Sequence, residues 1–194
     1  MEFKEYKKYR WFFTSSGKLV IGGKSAEQND SLLSRLKKSK EDYIIMHTSS
    51  PGSPFSVILS SIKNLKESDI EECAIFTGCF SRAWKEGKKS AIIDIFKLSE
   101  VAKEKSMKSG TWGVIGKIKH RKVELKLVLA KQKDILRAIP EIAIKDKREI
   151  LLKIMPGKIS KEDMLSKLKL EIEGNFSNEE ILSALPAGGV AISK

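Results

Sequence analysis

Two histidines, two cysteines and a few short runs of cations and glycines are the residues of this 194-residue chain whose types and spacing bear on chemistry. His47 precedes Ser49, Ser50 and Ser53, with Asp42 five residues before it, so a hydroxyl nucleophile with a histidine base can be sketched. The sketch lacks the Gly-x-Ser-x-Gly turn that presents a nucleophile, and no run offers an oxyanion hole. Cys73 and Cys79 stand six apart on an expected helix, hence on different faces, and no His or Cys pair accompanies them. Zinc takes four ligands, usually in tight pairs, so both cysteines read as small buried side chains. His120 lies among lysines, without the clustered carboxylates a two-histidine metal site would need. Gly22-Gly23-Lys24 and Gly113 to Gly116-Lys117 lack the four-residue spacing and the Ser or Thr after Lys that a phosphate loop requires. They read as strand ends where backbone turns or approaches closely. The chain is therefore expected not to be an enzyme and to hold neither a cofactor nor a metal.

Binding chemistry has more to stand on. Lys7, Lys8, Arg10 and Lys18 interleave with Tyr6, Tyr9, Trp11, Phe12 and Phe13. Cations contact phosphates, and exposed aromatics stack on unpaired bases. Strand alternation puts Arg10 and Trp11 on opposite faces, which makes Trp11 a core residue. Lys117, Lys119, His120, Arg121 and Lys122 read as the exposed tip of a hairpin, suited to a phosphate backbone. The net charge is +12 and unevenly spread. Residues 3–40 hold ten Lys or Arg against three acids and residues 82–133 fifteen against five, whereas residues 41–81 hold two against six and the rest is balanced. A polyanion-binding face built from the two basic segments would account for this pattern.

The elements that must position these residues alternate hairpins with separate helices, which argues for an α+β fold. Tyr9 to Thr14 and Lys18 to Ile21 read as a hairpin turning at Ser15-Ser16-Gly17. Ser25 with Gln28 caps a helix to about Lys38, its apolar face made by Leu32, Leu33 and Leu36. Asp42 to His47 and Phe55 to Leu59 read as strands around an ordered loop of serines, prolines and glycine. Ser68 with Glu71 is expected to cap a second helix running to about Trp84. Ala91 to Phe96 reads as a strand and Leu98 to Ala102 as another. Trp112 to Lys119 and Val123 to Leu129 are expected to form a hairpin through the basic run 120–122. Beyond it Ile139 to Ile144 and Glu149 to Met155 read as strands, Pro156-Gly157 as a break, and Ser160/Asp163 and Ser177/Glu180 as caps of two short helices. The expected architecture is a mixed or antiparallel sheet with two main helices over residues 1–134 and a small α/β extension over 135–194. No apolar run approaches the roughly 20 residues a membrane helix needs, and no signal peptide is evident. With two cysteines and no disulfide framework, the expected location is cytoplasmic.

Six blocks in order bring out a family resemblance: Tyr9-Arg10-Trp11-Phe12; Val20 to Lys24 with Gln28-Asn29; Asp42-Tyr43 to His47; Gly52-Ser53-Pro54-Phe55; Ser81-Arg82-Ala83-Trp84; and Ser109 to Trp112 followed by Gly116-Lys117. Together they resemble the NFACT-R domain of the ribosome-quality-control factors. Met155 to Lys158 and Leu185-Pro186 resemble the C-terminal extension of archaeal members. The chain resembles a stand-alone version, without the N-terminal NFACT domain, the helix–hairpin–helix pair or the coiled coil, so the tailing activity of full-length members is not carried over. Ser99 to Lys103 departs from the family's usual element at that place.

The resemblance implies non-catalytic binding of structured RNA, tRNA or ribosomal RNA, in translation or its quality control. The large ribosomal subunit would be a partner, and a separate chain would supply the missing family domains. The rivals are a DNA or general polyanion binder and a protein-interaction adaptor. Positions matching the family are Arg10, Gly23, Lys24, Asn29, His47, Ser81, Trp84 and Lys117, of which Trp84 is expected to be core. Adding the cations of the basic segments gives an expected RNA-binding set of Lys8, Arg10, Lys24, Asn29, His47, Arg82, Lys117, Lys119, His120, Arg121 and Lys122.

Overall fold

The computed structural model describes residues 3–39 and 41–193, which form an α+β fold with antiparallel sheets. The first hairpin is as expected: β1 (Arg10–Phe13) pairs with β2 (Leu19–Gly22), Trp11 opposite Ile21. Alternation divides it between two cores. Trp11 and Ile21 join Leu32, Leu33 and Leu36 of α1 (Ala26–Lys37) on one side of the sheet. Phe12 and Val20 point to the other side. The strands β3 (Ile44–Thr48) and β4 (Ser56–Ile58) divide in the same way, with Ile45 and Val57 in the α1 core and Met46 and Ile58 in the opposite one.

The helix opposite α1 is α2 (Glu67–Cys79). It starts one residue before the Ser68 expected as its cap. The backbone N–H of Lys66 donates to the Asp69 carboxylate (2.9 Å), so Asp69 fills the first turn and Ser68 lies inside the helix. It also stops five residues before Trp84. Ser81 Oγ accepts from the Ala83 N–H (3.1 Å) and opens a separate short helix, α3 (Arg82–Lys85). Buried Asp69 and Glu72 fasten α2 to the β1–β2 turn: Asp69 accepts from Thr14 Oγ1 (2.6 Å) and Glu72 from the Ser15 N–H (2.8 Å). Cys73 and Cys79 are buried and unbridged, as expected.

Next come β5 (Ser90–Lys97), the small ribbon β6 (Val101–Ala102) with β7 (Gly113–Val114), and β8 (Lys119–Glu124). The main sheet has the order β1-β2-β4-β3-β5-β8. The hairpin expected through residues 120–122 does not form. The basic run is itself the strand β8, paired with β5 from Ser90–Glu124 to Ile95–Lys119. It is an edge strand, where charged side chains discourage edge-to-edge pairing with other chains.

A second sheet follows, β9 (Leu127–Gln132), β10 (Ile135–Ile139), β11 (Leu152–Ser160) and β12 (Gly189–Ser193), in the order β10-β9-β11-β12. Residues 141–143 are a short 3-10 turn rather than the expected strand. Pro156-Gly157 does not break the chain but lies within β11, where the pairing register with β12 shifts, a place where a strand tolerates proline. The helices α4 (Leu165–Glu171) and α5 (Asn178–Ala184) follow β11, and α5 carries the expected Ser177–Glu180 capping box.

The boundary expected near residue 134 falls in the β9–β10 turn, Lys133-Asp134, and the strands on its two sides pair with each other. Leu129, Leu136, Ile154 and Val190 share one core with Phe76 of α2. This second sheet also covers the open edge of β1. The Gln132 side chain accepts from the Phe13 N–H (2.7 Å) and donates to the Phe13 carbonyl (2.8 Å), and Arg137 Nε donates to the Trp11 carbonyl (3.2 Å). No helix of the described residues is long and apolar enough to cross a membrane.

Candidate functional site

At one end of the main sheet, where β1 and β4 begin and β2 and β3 end, several connections surround a cleft of about 680 Å³. Its walls are the β2–α1 connection, the β3–β4 loop, the α2–α3 junction, and the loop carrying Ser109 to Trp112. Phe55, Phe80, Phe96 and Trp112 contribute apolar surface, and Ala187 from the C-terminal segment adds to the rim.

The β3–β4 loop is held by its own side chains. Ser53 Oγ accepts from the Thr48 N–H (2.9 Å), and Thr48 Oγ1 donates to the Ser50 carbonyl (2.6 Å). Gly52 has φ of +104°, a conformation that favours glycine. Its carbonyl accepts from the Arg82 N–H (2.7 Å). The loop and the start of α3 are thereby joined, and Arg82 faces the cleft from that joint.

On the α1 side Ser25 caps the helix by accepting from the Gln28 N–H (3.2 Å), as the sequence indicates. One turn in, buried Asn29 accepts from the Phe55 N–H (3.1 Å) and ties α1 to the entry of β4. A Cβ on Gly23 would fall inside the van der Waals radius of Asn29 Oδ1, so glycine is required there by close approach. Asp30 clamps the other wall. Its carboxylate accepts from Trp112 Nε1 (2.8 Å), the Gly110 N–H (3.0 Å), Ser109 Oγ (3.2 Å) and Lys103 Nζ (3.1 Å).

Arg10, Lys24, Arg82 and Lys85 line the cleft, and none of them forms an ion pair among the described residues. The one carboxylate in the lining, Asp94, is engaged by Ser49 Oγ and by His120 Nδ1 (2.8 Å). Arg10 lies over the Phe80 ring, 4.9 Å from its centroid. The cleft is therefore positive, with aromatic surface behind the cations, and N–H and O–H groups at its walls. Such a surface is suited to phosphates with adjoining sugars or bases.

His47 also lines the cleft. Its Nδ1 donates to the Thr48 carbonyl (2.7 Å) and its ring lies 4.6 Å from that of Phe55. Burial holds its pKa below the usual 6.5 despite the nearby carbonyls and Asp94. The imidazole is neutral at pH 7 and can offer a hydrogen bond but no charge. Asp42 is bound to Ser99 (2.8 Å) and Ser53 to Thr48, so the residues sketched as a nucleophile system are used in loop construction. Among the described residues no group of three or more His, Cys, Asp or Glu is placed to hold a metal.

Of the expected site residues, the structure brings Arg10, Lys24, Asn29, His47 and Arg82 to the cleft, together with Gly23 and Ser81. Asn29 and Ser81 also have structural work: Ser81 Oγ donates to the Gly78 carbonyl (2.7 Å) besides capping α3. Trp84 is core, fully buried, its Nε1 donating to the Gly189 carbonyl (3.0 Å). Lys8 lies outside the cleft, paired with Glu5 (2.6 Å). Lys117 is exposed between β7 and β8. Alternation along β8 then separates the basic run. Arg121 turns to α2 and pairs with Glu67 and with Glu71 (2.5 Å), whereas His120 faces Asp94 at the cleft's margin. Lys119 and Lys122 are exposed. Sequence reading overlooked Asp30, Lys85 and Arg137. Asp30 directly follows the Gln28-Asn29 pair of the family resemblance, and that adjacency is the available signal. Nothing in the sequence near Arg137 marks it out.

The sequence pattern described as the NFACT protein RNA binding domain matches residues 8–116. The chain is 33% identical to the Archaeal Rqc2 homolog aRqcH of Methanocaldococcus jannaschii, an alignment that takes in all of this chain and 30% of that protein. The chain thus spans less than a third of the length of this curated relative. Among solved structures, the C-terminal part of the fibronectin/fibrinogen-binding protein from Streptococcus suis superposes with a TM-score of 0.50 at 18% identity, over 64% of this chain and 47% of that one. At that identity the likeness is one of fold.

Proposed function

We propose, from the premise that this chain belongs to the NFACT protein RNA binding domain family, that it binds structured RNA in the cleft without turning it over. The observation that carries the reading is the convergence of sequence blocks from Arg10 to Trp112 on one cleft whose cations form no ion pair among the described residues. Arg10, Lys24, Arg82 and Lys85 supply phosphate contacts. His47 and the polar loop walls supply hydrogen bonds to ribose or base edges, which are accessible in unpaired RNA. The RNA is tRNA or ribosomal RNA, and the setting is ribosome-associated quality control in the cytoplasm. The large ribosomal subunit is the partner, and other chains supply the remaining NFACT-family domains. His47, held neutral and bonded to a backbone carbonyl, acts in recognition and not as a catalytic base.

The test is fluorescence anisotropy of labelled tRNA over a salt series, with duplex DNA of similar charge as competitor. Four phosphate contacts predict a slope of log affinity against log salt of about −3 to −4. Poor competition by DNA is the expected result. Equal competition would reduce the function to general polyanion binding, and no binding at low salt would overturn the proposal.

A further inference from the structure

Arg137 stands outside every block of the family resemblance, yet it is packed against the strand that delivers Arg10. Only 9% of it is exposed. Its guanidinium lies 4.8 Å from the Trp11 ring centroid, and its Nε donates to the Trp11 carbonyl (3.2 Å). Trp11 follows Arg10 in β1, and Arg10 is paired across the hairpin with Gly22, two residues before Lys24. Three cations from three different strands or connections thus lie within electrostatic reach of one another near the start of β1, Arg10 and Lys24 in the cleft lining and Arg137 behind it against Trp11. None forms an ion pair among the described residues, and no protein acceptor is found there for the Nη groups of either arginine. A guanidinium stacked on an aromatic face directs its in-plane donors away from the ring, in the fork that matches an oxyanion.

We infer that Arg10, Lys24 and Arg137 form a phosphate-binding subsite at the β1 edge of the cleft, completed by a residue of the second sheet. The ligand is a phosphate group: a phosphodiester of the bound RNA, or the phosphate of a small monoester. The assignment to RNA rests on the proposed function, and the subsite itself does not. Arg137 is buried and Arg10 half-buried, whereas Lys24 is exposed, and cations removed from water without a counterion are costly to hold. Burial lowers the pKa of Arg10, of Lys24 and of Arg137, the last to about 10, and Arg10 adds to the effect on both of the others. A bound phosphate would relieve that repulsion. Lys161, whose Nζ donates to the Leu182 carbonyl (2.8 Å), lies near enough to Arg10 to add to the field, partly offset by Glu162.

The experiment uses the full chain and its Lys24→Gln, Arg137→Gln and Arg137→Lys variants, each checked for a cooperative melt. Labelled tRNA is titrated over a salt series, and the melting temperature is followed with millimolar inorganic phosphate and with a nucleoside 5′-monophosphate. Lys24→Gln and Arg137→Gln are each expected to lose about tenfold in RNA affinity and to reduce the salt slope by about one. Arg137→Lys should keep the slope while binding more weakly, because the charge stays and the fork is lost. Unchanged affinity and slope in folded Lys24→Gln and Arg137→Lys, with wild-type RNA binding intact, would overturn the subsite and leave the RNA reading standing. If wild type binds no RNA, the RNA reading falls alone. In that case a phosphate-dependent rise in melting temperature that Lys24→Gln removes supports the subsite, and no rise overturns it.

Discussion

The indole Nε1 of Trp112 donates to Asp30 Oδ1 at 2.8 Å, and through this bond one wall of the cleft is fixed to α1. The same carboxylate holds Gly110, Ser109 and Lys103. Burial pushes the Asp30 pKa up, but the donors of Gly110, Lys103 and Trp112 outweigh it and hold it below the usual 3.8. Its stabilising contribution is therefore present above pH 3.8 and is lost as pH falls through the lower folded value. Asp30→Ala is expected to destabilise the protein by about 2 kcal/mol at pH 7, because it strands several donors. Urea melts of the two proteins should converge as pH falls below 3.8 through the folded pKa, and RNA affinity at pH 7 should fall with the loosened wall.

Gly23→Ala tests the close approach to Asn29. The added methyl must displace Asn29 Oδ1, which accepts from the Phe55 N–H. A loss of about 2 kcal/mol is expected from overpacking. The two sites are in contact, so Gly23→Ala combined with Asn29→Ala should cost less than the sum of the single changes. Additive losses in denaturant melts would show that the clash is relieved elsewhere.

Arg82 and Arg121 are both basic residues of the expected RNA-binding set, and the structure gives them different surroundings. Arg82 faces the cleft without an ion pair among the described residues, whereas Arg121 is paired with Glu67 and Glu71 on α2. Arg82→Gln is expected to weaken RNA binding about tenfold and to reduce the salt slope by about one. Arg121→Gln should leave the slope unchanged and lower stability by less than about 1 kcal/mol, as for a largely solvated pair.

His47 gives a pH signature. Its folded pKa lies below 6.5, so on acidification the unfolded chain takes up the proton first. Stability should be independent of His47 above about pH 6.5, fall as pH drops from there toward the folded pKa, and level off below it. His47→Gln should remove this step from a plot of unfolding free energy against pH. A profile identical to wild type would mean that the ring is not desolvated.

A chain ending at residue 134 should not fold cooperatively. Truncation removes β10 and β11, the partners of β9, and takes Leu136, Ile154 and Val190 out of the core shared with Phe76. Broad, non-cooperative thermal unfolding of the fragment is the expected outcome, whereas a sharp melt would make residues 1–134 an independent domain.

What could be read from the sequence was what neighbours along the chain decide. The β1–β2 hairpin follows from alternation and a Ser-Ser-Gly turn, and the start of α1 from Ser25 and Gln28. The start of α2 was misplaced because Ser68 and Asp69 are both competent near a helix start, and the burial of Asp69 against Thr14 decides between them. Strand partners were harder still. Val123 and Leu125 alternate equally well in a hairpin tip or in an edge strand, and only the exposed side of β5 settles where the segment pairs. Arg10, Lys24 and His47 belong to blocks of the resemblance and line the cleft because those blocks contribute to its walls, whereas Arg82 was expected from the basic pattern and lines it from the start of α3. Arg137 had no such signal. Its contact with Trp11 spans 125 intervening residues and depends on the second sheet docking against the edge of β1. Local hydrogen-bond chemistry and apolar periodicity are written in the order of residues, whereas the meeting of distant cations is a property of packing.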